Sequence, residues 1–90
     1  MTATEIRAVR DRLALSQPQL AQLLGVHTIT VSKWERAVLK PSAHQETLLR
    51  SFGKAAKNPE VRDEVASALV TVGVVVALFL LLQAAVGKKG

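Results

Sequence analysis

Along residues 1–57 the apolar positions recur every three or four residues, and each such stretch opens on a polar residue able to cap a helix. Ile6, Val9 and Leu13 share one helical face behind Thr2, and Thr2 with Glu5 has the spacing at which hydroxyl and carboxylate cap each other's backbone. Ser16 with Gln19 repeats that spacing and opens a second helix through Leu24, with Pro18 tolerated in its first turn. Gly25 ends it, as glycine does where the chain turns with positive φ. A third helix is predicted from Thr28 to Arg36. Pro41 and Ser42 then interrupt, Ser42 with Gln45 makes a third box, and Leu48, Leu49 and Phe52 line a fourth helix. The head offers no strand.

From Val65 to Val86 the pattern changes: no charged side chain occurs, and apolar residues fall on every side of a helix. Asn58 and Pro59 start this helix as cap and first position, and Glu60, Asp63 and Glu64 suit its positive dipole end. Gly73 alone interrupts, which predicts one continuous helix of about 28 residues and ~42 Å. Its uncharged part, about 22 residues and ~33 Å, is long enough for a ~30 Å hydrocarbon core. The expected fold is therefore all-α. It comprises a small four-helix head at 1–57, the start of a long helix at 58–64, a transmembrane helix at 65–86 and a short tail at 87–90.

Charge refines that picture. The net charge is +5, with Arg7, Arg10, Arg12, Lys33, Arg36, Lys40, Arg50, Lys54 and Lys57 in the head. Such a surface suits nucleic acid, an anionic leaflet or an acidic protein face. Arg50, Lys54, Lys57 and Arg62 precede the apolar run, while only Lys88 and Lys89 follow it. The excess predicts a single pass through a cytoplasmic (inner) membrane with the N-terminus in the cytoplasm. The N-terminal residues are charged and amphipathic, unlike a cleavable signal. There is no cysteine, His27 and His44 lie far apart without acidic companions, and no nucleophile–base pair or glycine-rich phosphate loop occurs. Neither an enzyme, a metal nor a cofactor is expected.

Gln17 to Arg36, QPQLAQLLGVHTITVSKWER, resembles the helix-turn-helix of phage-repressor-type (Cro-like, XRE-like) DNA-binding domains, with Ala21, Gly25, Val26, Val31 and Trp34 at the family's spacing. The resemblance extends from Thr4 to Phe52. A small residue at Ala21 suits the crossing of two helices, and Leu20, Leu24, Val26, Val31 and Trp34 suit the seal between them. The resemblance implies an ion pair between Arg10 and Glu35, phosphate contacts from Gln17, Lys40 and Arg36, and base contacts from Thr28, Ile29, Ser32 and Lys33.

Departures from the family pull the other way. Of the base-reading face only Lys33 reaches a guanine edge well. Ala37 stands where the family places glycine, and Val38 and Leu39 form an apolar tip suited to docking on protein or lipid. Within the apolar run Gly73 and Ala77 make a small-xxx-small pair that Val70 and Ala84 extend, a packing face for another membrane helix. Gln83 would bond a neighbour or reach the interface. The reading favoured by these features is a non-catalytic accessory subunit of a larger membrane complex, respiratory or photosynthetic hosts included. Its partners would be other transmembrane helices and lipid. The alternative is a membrane-tethered transcriptional regulator whose partner is DNA.

Overall fold

The computed structural model describes residues 1–86. Six helices follow in order: α1 (Ala3–Arg12), α2 (Gln17–Leu24), α3 (Thr28–Glu35), α4 (Ala43–Ala55), α5 (Pro59–Thr71) and α6 (Val74–Val86). All three capping boxes are formed in both directions, Thr2 with Glu5, Ser16 with Gln19 and Ser42 with Gln45. Asn58 caps α5 by accepting from the Glu60 N–H.

The first four helices enclose Ile6, Val9, Leu13, Leu20, Val31, Trp34, Leu49 and Phe52, all buried. Leu15 and Leu23 join them from the α1–α2 connection and from α2. The same apolar cluster continues without interruption into Val65 and Ala68 of α5 and Ala77 and Leu81 of α6.

That continuity corrects the expectation of a single long helix. The chain breaks at Val72 and Gly73, where the N–H groups of both residues converge on the Ala68 carbonyl and Gly73 adopts a φ of 130°. This backbone region is open to glycine and strained for any other residue. The two-residue connection makes α5 and α6 a helical hairpin, and α6 packs against α5, α4 and α2. A straight helix from Pro59 to Val86 would run ~42 Å, longer than the 38 Å greatest extent of the molecule. The radius of gyration, 12.2 Å, is that of one compact domain of this length.

No helix among the described residues is long and apolar enough to cross a membrane. The longest have 13 residues, ~20 Å of rise against the ~30 Å of a hydrocarbon core. The apolar run belongs instead to an amphipathic segment of α5 and a helix seated on the head. The supposed packing stripe is likewise divided: Val70 is exposed on α5, Gly73 sits in the turn, Ala77 is buried in this chain's own core and Ala84 is half-buried on α6. The tail at 87–90 lies outside the described residues.

Candidate nucleic-acid interface

Helices α2 and α3 are joined by the short turn at Gly25, whose φ is 69°. The Gly25 N–H donates to the Gln22 carbonyl and the Val26 N–H to the Ala21 carbonyl, at 3.3 and 3.0 Å. This Schellman closure satisfies the last carbonyls of α2 and redirects the chain within three residues. Leu20, Ala21, Leu23, Val31 and Trp34 are buried and fix α3 against α2 and α1. Periodicity then decides what remains outside: with Val31, Trp34 and Glu35 inward, Thr28, Ile29 and Lys33 face solvent and Ser32 is half-exposed.

The positions named from the sequence therefore share one exposed surface. Arg36 leans back along α3, its Nε donating to Ser32 Oγ at 3.2 Å. Lys40 is exposed on the connection to α4. Val38 and Leu39 are exposed there as well, 63% and 47%. Leu39 also borders a cavity of about 310 Å³ between that connection and the start of α1, lined by Ile6, Trp34 and Pro41. His27 occupies the cap of α3 and makes no side-chain capping bond.

Glu35 anchors α3 to the rest of the domain. Its carboxylate is almost wholly buried, and Arg10 approaches it with both arms, Nε to Oε2 at 2.6 Å and Nη2 to Oε1 at 2.8 Å. The remaining Arg10 arm, Nη1, donates to the Leu15 carbonyl at 3.0 Å. Gln17 Nε2 adds a bond to Glu35 Oε1 at 3.2 Å, and Arg7 Nη2 donates to the Glu35 carbonyl at 3.3 Å. The bidentate bond from Arg10 holds the Glu35 carboxyl below the ordinary carboxylate range; burial opposes this and the Gln17 bond assists. The same pairing raises Arg10. The arrangement is a satisfied buried pair, and its role is to set the orientation of α3 relative to α1.

Two residues of this cluster escaped sequence reasoning. Gln17 was expected at phosphate, yet one of its amide N–H donors goes to Glu35, and Arg7 was given no role. Neither assignment has a sequence signal, since 18 and 28 residues separate these side chains from Glu35.

The C-terminal end of α3 closes like that of α2, with alanine in place of glycine. Ala37 has φ 60°; its N–H donates to the Trp34 carbonyl and that of Val38 to the Lys33 carbonyl, at 3.1 and 2.9 Å. These bonds fix the direction in which Val38 and Leu39 leave the helix.

Two short helices crossing at a glycine turn, braced by α1 and α4 and leaving one face of the second helix exposed, make a helix-turn-helix domain. Residues 6–50, half of the chain, match the helix-turn-helix family, and the chain belongs to that family. No curated protein and no solved structure matches it.

Proposed function

We propose that this protein is a DNA-binding transcriptional regulator that lays α3 in the major groove. The observation that carries the reading is the family membership over residues 6–50. The exposed face of Thr28, Ile29, Ser32 and Lys33 and the net charge of +5 support it. Lys33 donates to guanine O6 or N7, and Ile29 and Thr28 offer methyl groups to thymine. Arg36 and Lys40 flank this face and hold phosphates, and the Gln17 backbone N–H at the N-terminal end of α2 offers a single donor to another.

The competing reading, an accessory subunit held among membrane helices and lipid, rested on the span at 65–86. Among the described residues it has no helix to carry it.

A selection on random duplexes with the full chain tests the proposal. The expected result is enrichment of one reproducible site bound with steep salt dependence. Lys33→Ala should lose about 1–3 kcal/mol of discrimination at one base pair of it. A pool that stays random through successive rounds, with Lys33→Ala indistinguishable from the parent chain, would overturn it.

A further inference from the structure

Helices α1 and α4 pack against each other, and a cleft of about 430 Å³ opens along their seam. Ala8 and Arg12 of α1 line it, and from α4 come Arg50, Gly53 and Lys54, with Lys57 just past the helix end. Steps of three and four keep each row on one helix face. A Cβ at Gly53 would crowd Val9 Cγ2 at 3.2 Å, so the bare backbone there lets the two rows draw together. Small residues make the floor, and long cations rim it. No residue of α2, α3 or the α3–α4 connection takes part, so the cleft is separate from the face assigned to DNA.

We infer that this cleft binds a condensed phosphate chain, free or carried on a nucleoside. Charge is the first reason. Arg12, Lys54 and Lys57 are exposed and have no ion-pair partner among the described residues. Arg50 is shared with Glu46 at 3.4 Å. Glu5 also lines the cleft, but its carboxylate accepts from the Thr2 N–H at 2.8 Å, at the start of α1 and ~10 Å along the helix from Arg12. The C-terminal dipoles of α1 and α4 oppose an anion by about half an elementary charge each, which three full cations outweigh. Size is the second reason. A cleft of this volume holds a few linked phosphates, whose neighbouring charges match neighbouring cations, and Arg12 offers a bidentate fork to one of them. No aromatic side chain lines it, so recognition falls on the phosphates rather than on a base.

Larger polyanions fit less well. A peptide helix is about 10–12 Å across with its side chains, too broad for this cleft, and an extended acidic peptide finds no strand edge to bond along. A duplex, whose major groove alone is ~12 Å wide, touches the rims and not the floor. The inference does not rest on the regulator reading, because the cleft and the α3 face share no residue.

Calorimetric titration of the full chain with inorganic tripolyphosphate tests the inference. Saturable binding of one tripolyphosphate per protein is expected, weakening as salt rises. Arg12→Gln with Lys54→Gln and Lys57→Gln should weaken it about tenfold, the sum of three modest ion pairs. Lys33→Gln with Arg36→Gln and Lys40→Gln removes the same charge from the α3 face and should change the affinity by less than about twofold. Circular dichroism checks that both triple variants stay folded, and Lys54→Arg with Lys57→Arg should retain binding. Equal losses in the two triple variants would mean that net charge alone attracts the phosphates, and would overturn the inference. Absence of saturable binding to the parent chain would overturn it too. Adenosine triphosphate separates the two sources: an affinity no better than that of tripolyphosphate assigns the cleft to the free chain, and a tighter one to a nucleotide. A hexaglutamate peptide or an unselected duplex that displaces tripolyphosphate from the α3-face variant would overturn the inference in favour of a macromolecular partner.

Discussion

Three helices of this domain end in the same hydrogen-bonded closure, and only one of them uses glycine. Gly25 has φ 69°, but Ala14 and Ala37 are held at 56° and 60°. At Ala14 the bonds repeat: its N–H goes to the Asp11 carbonyl and that of Leu15 to the Arg10 carbonyl, both at 3.0 Å. Left-handed backbone costs an L-residue roughly 1–2 kcal/mol, part of which glycine returns as unfolded-state entropy. Ala37→Gly should therefore gain about 0.5–1 kcal/mol, visible as a melting temperature raised by several degrees in a domain of this size. The strained position at Ala37 was legible in the sequence because the family's glycine is missing there. The one at Ala14 was not, since nothing in LALSQ marks a left-handed residue.

Glu35 is the other residue on which the domain turns. Removing Arg10 would leave a buried carboxylate with the Gln17 amide and a half-exposed Arg7 guanidinium 3.5 Å away, so Arg10→Ala should cost about 3 kcal/mol in urea unfolding. The sign of the pH dependence follows from the depressed carboxyl. Its stabilisation is fully present above the ordinary glutamate value of about 4.3 and fades as pH falls through the lower folded value. Glu35→Gln should be less stable than the parent at neutral pH, and the gap should narrow on acidification below that ordinary value.

At the scale of elements, the caps were legible and the fate of the last two helices was not. Thr2, Ser16 and Ser42 specify their helices locally, each through a partner three residues away, and such signals survive whatever the rest of the chain does. The apolar run carries no comparable local signal. Hydropathy counts residues without asking what lies opposite, and here α2 and α4 lie opposite α6 while α5 covers its flank. Gly73 was the available clue, and tolerance of glycine in membrane helices masked it. The break makes a test. A Cβ at Gly73 would meet nothing within 4 Å, so the whole effect of Gly73→Ala comes from its φ of 130°. A loss of about 1–3 kcal/mol is expected in urea unfolding. A variant as stable as the parent would mean that the hairpin turn is not formed as described.

For the whole molecule, the fold separates its surfaces by element. Helix α3 and the connection after it carry Lys33, Arg36 and Lys40 around a small polar face, while α6 carries an uncharged apolar stripe. The head's helix-turn-helix was legible through its resemblance to a known family, and the turn glycine, small crossing residue and inward tryptophan that carry the resemblance each have a packing reason at those separations. Which surfaces the molecule leaves exposed beyond the head was not legible, since that depends on how α5 and α6 fold back. The central claim is that α3 reads bases in the major groove, and guanine N7 lies only there. Methylation interference at N7 on the selected duplex is the most direct measurement. On this reading, methylating the guanine that Lys33 contacts blocks the parent chain and leaves Lys33→Ala unaffected. An identical interference pattern for both proteins, or none at any guanine, would contradict it.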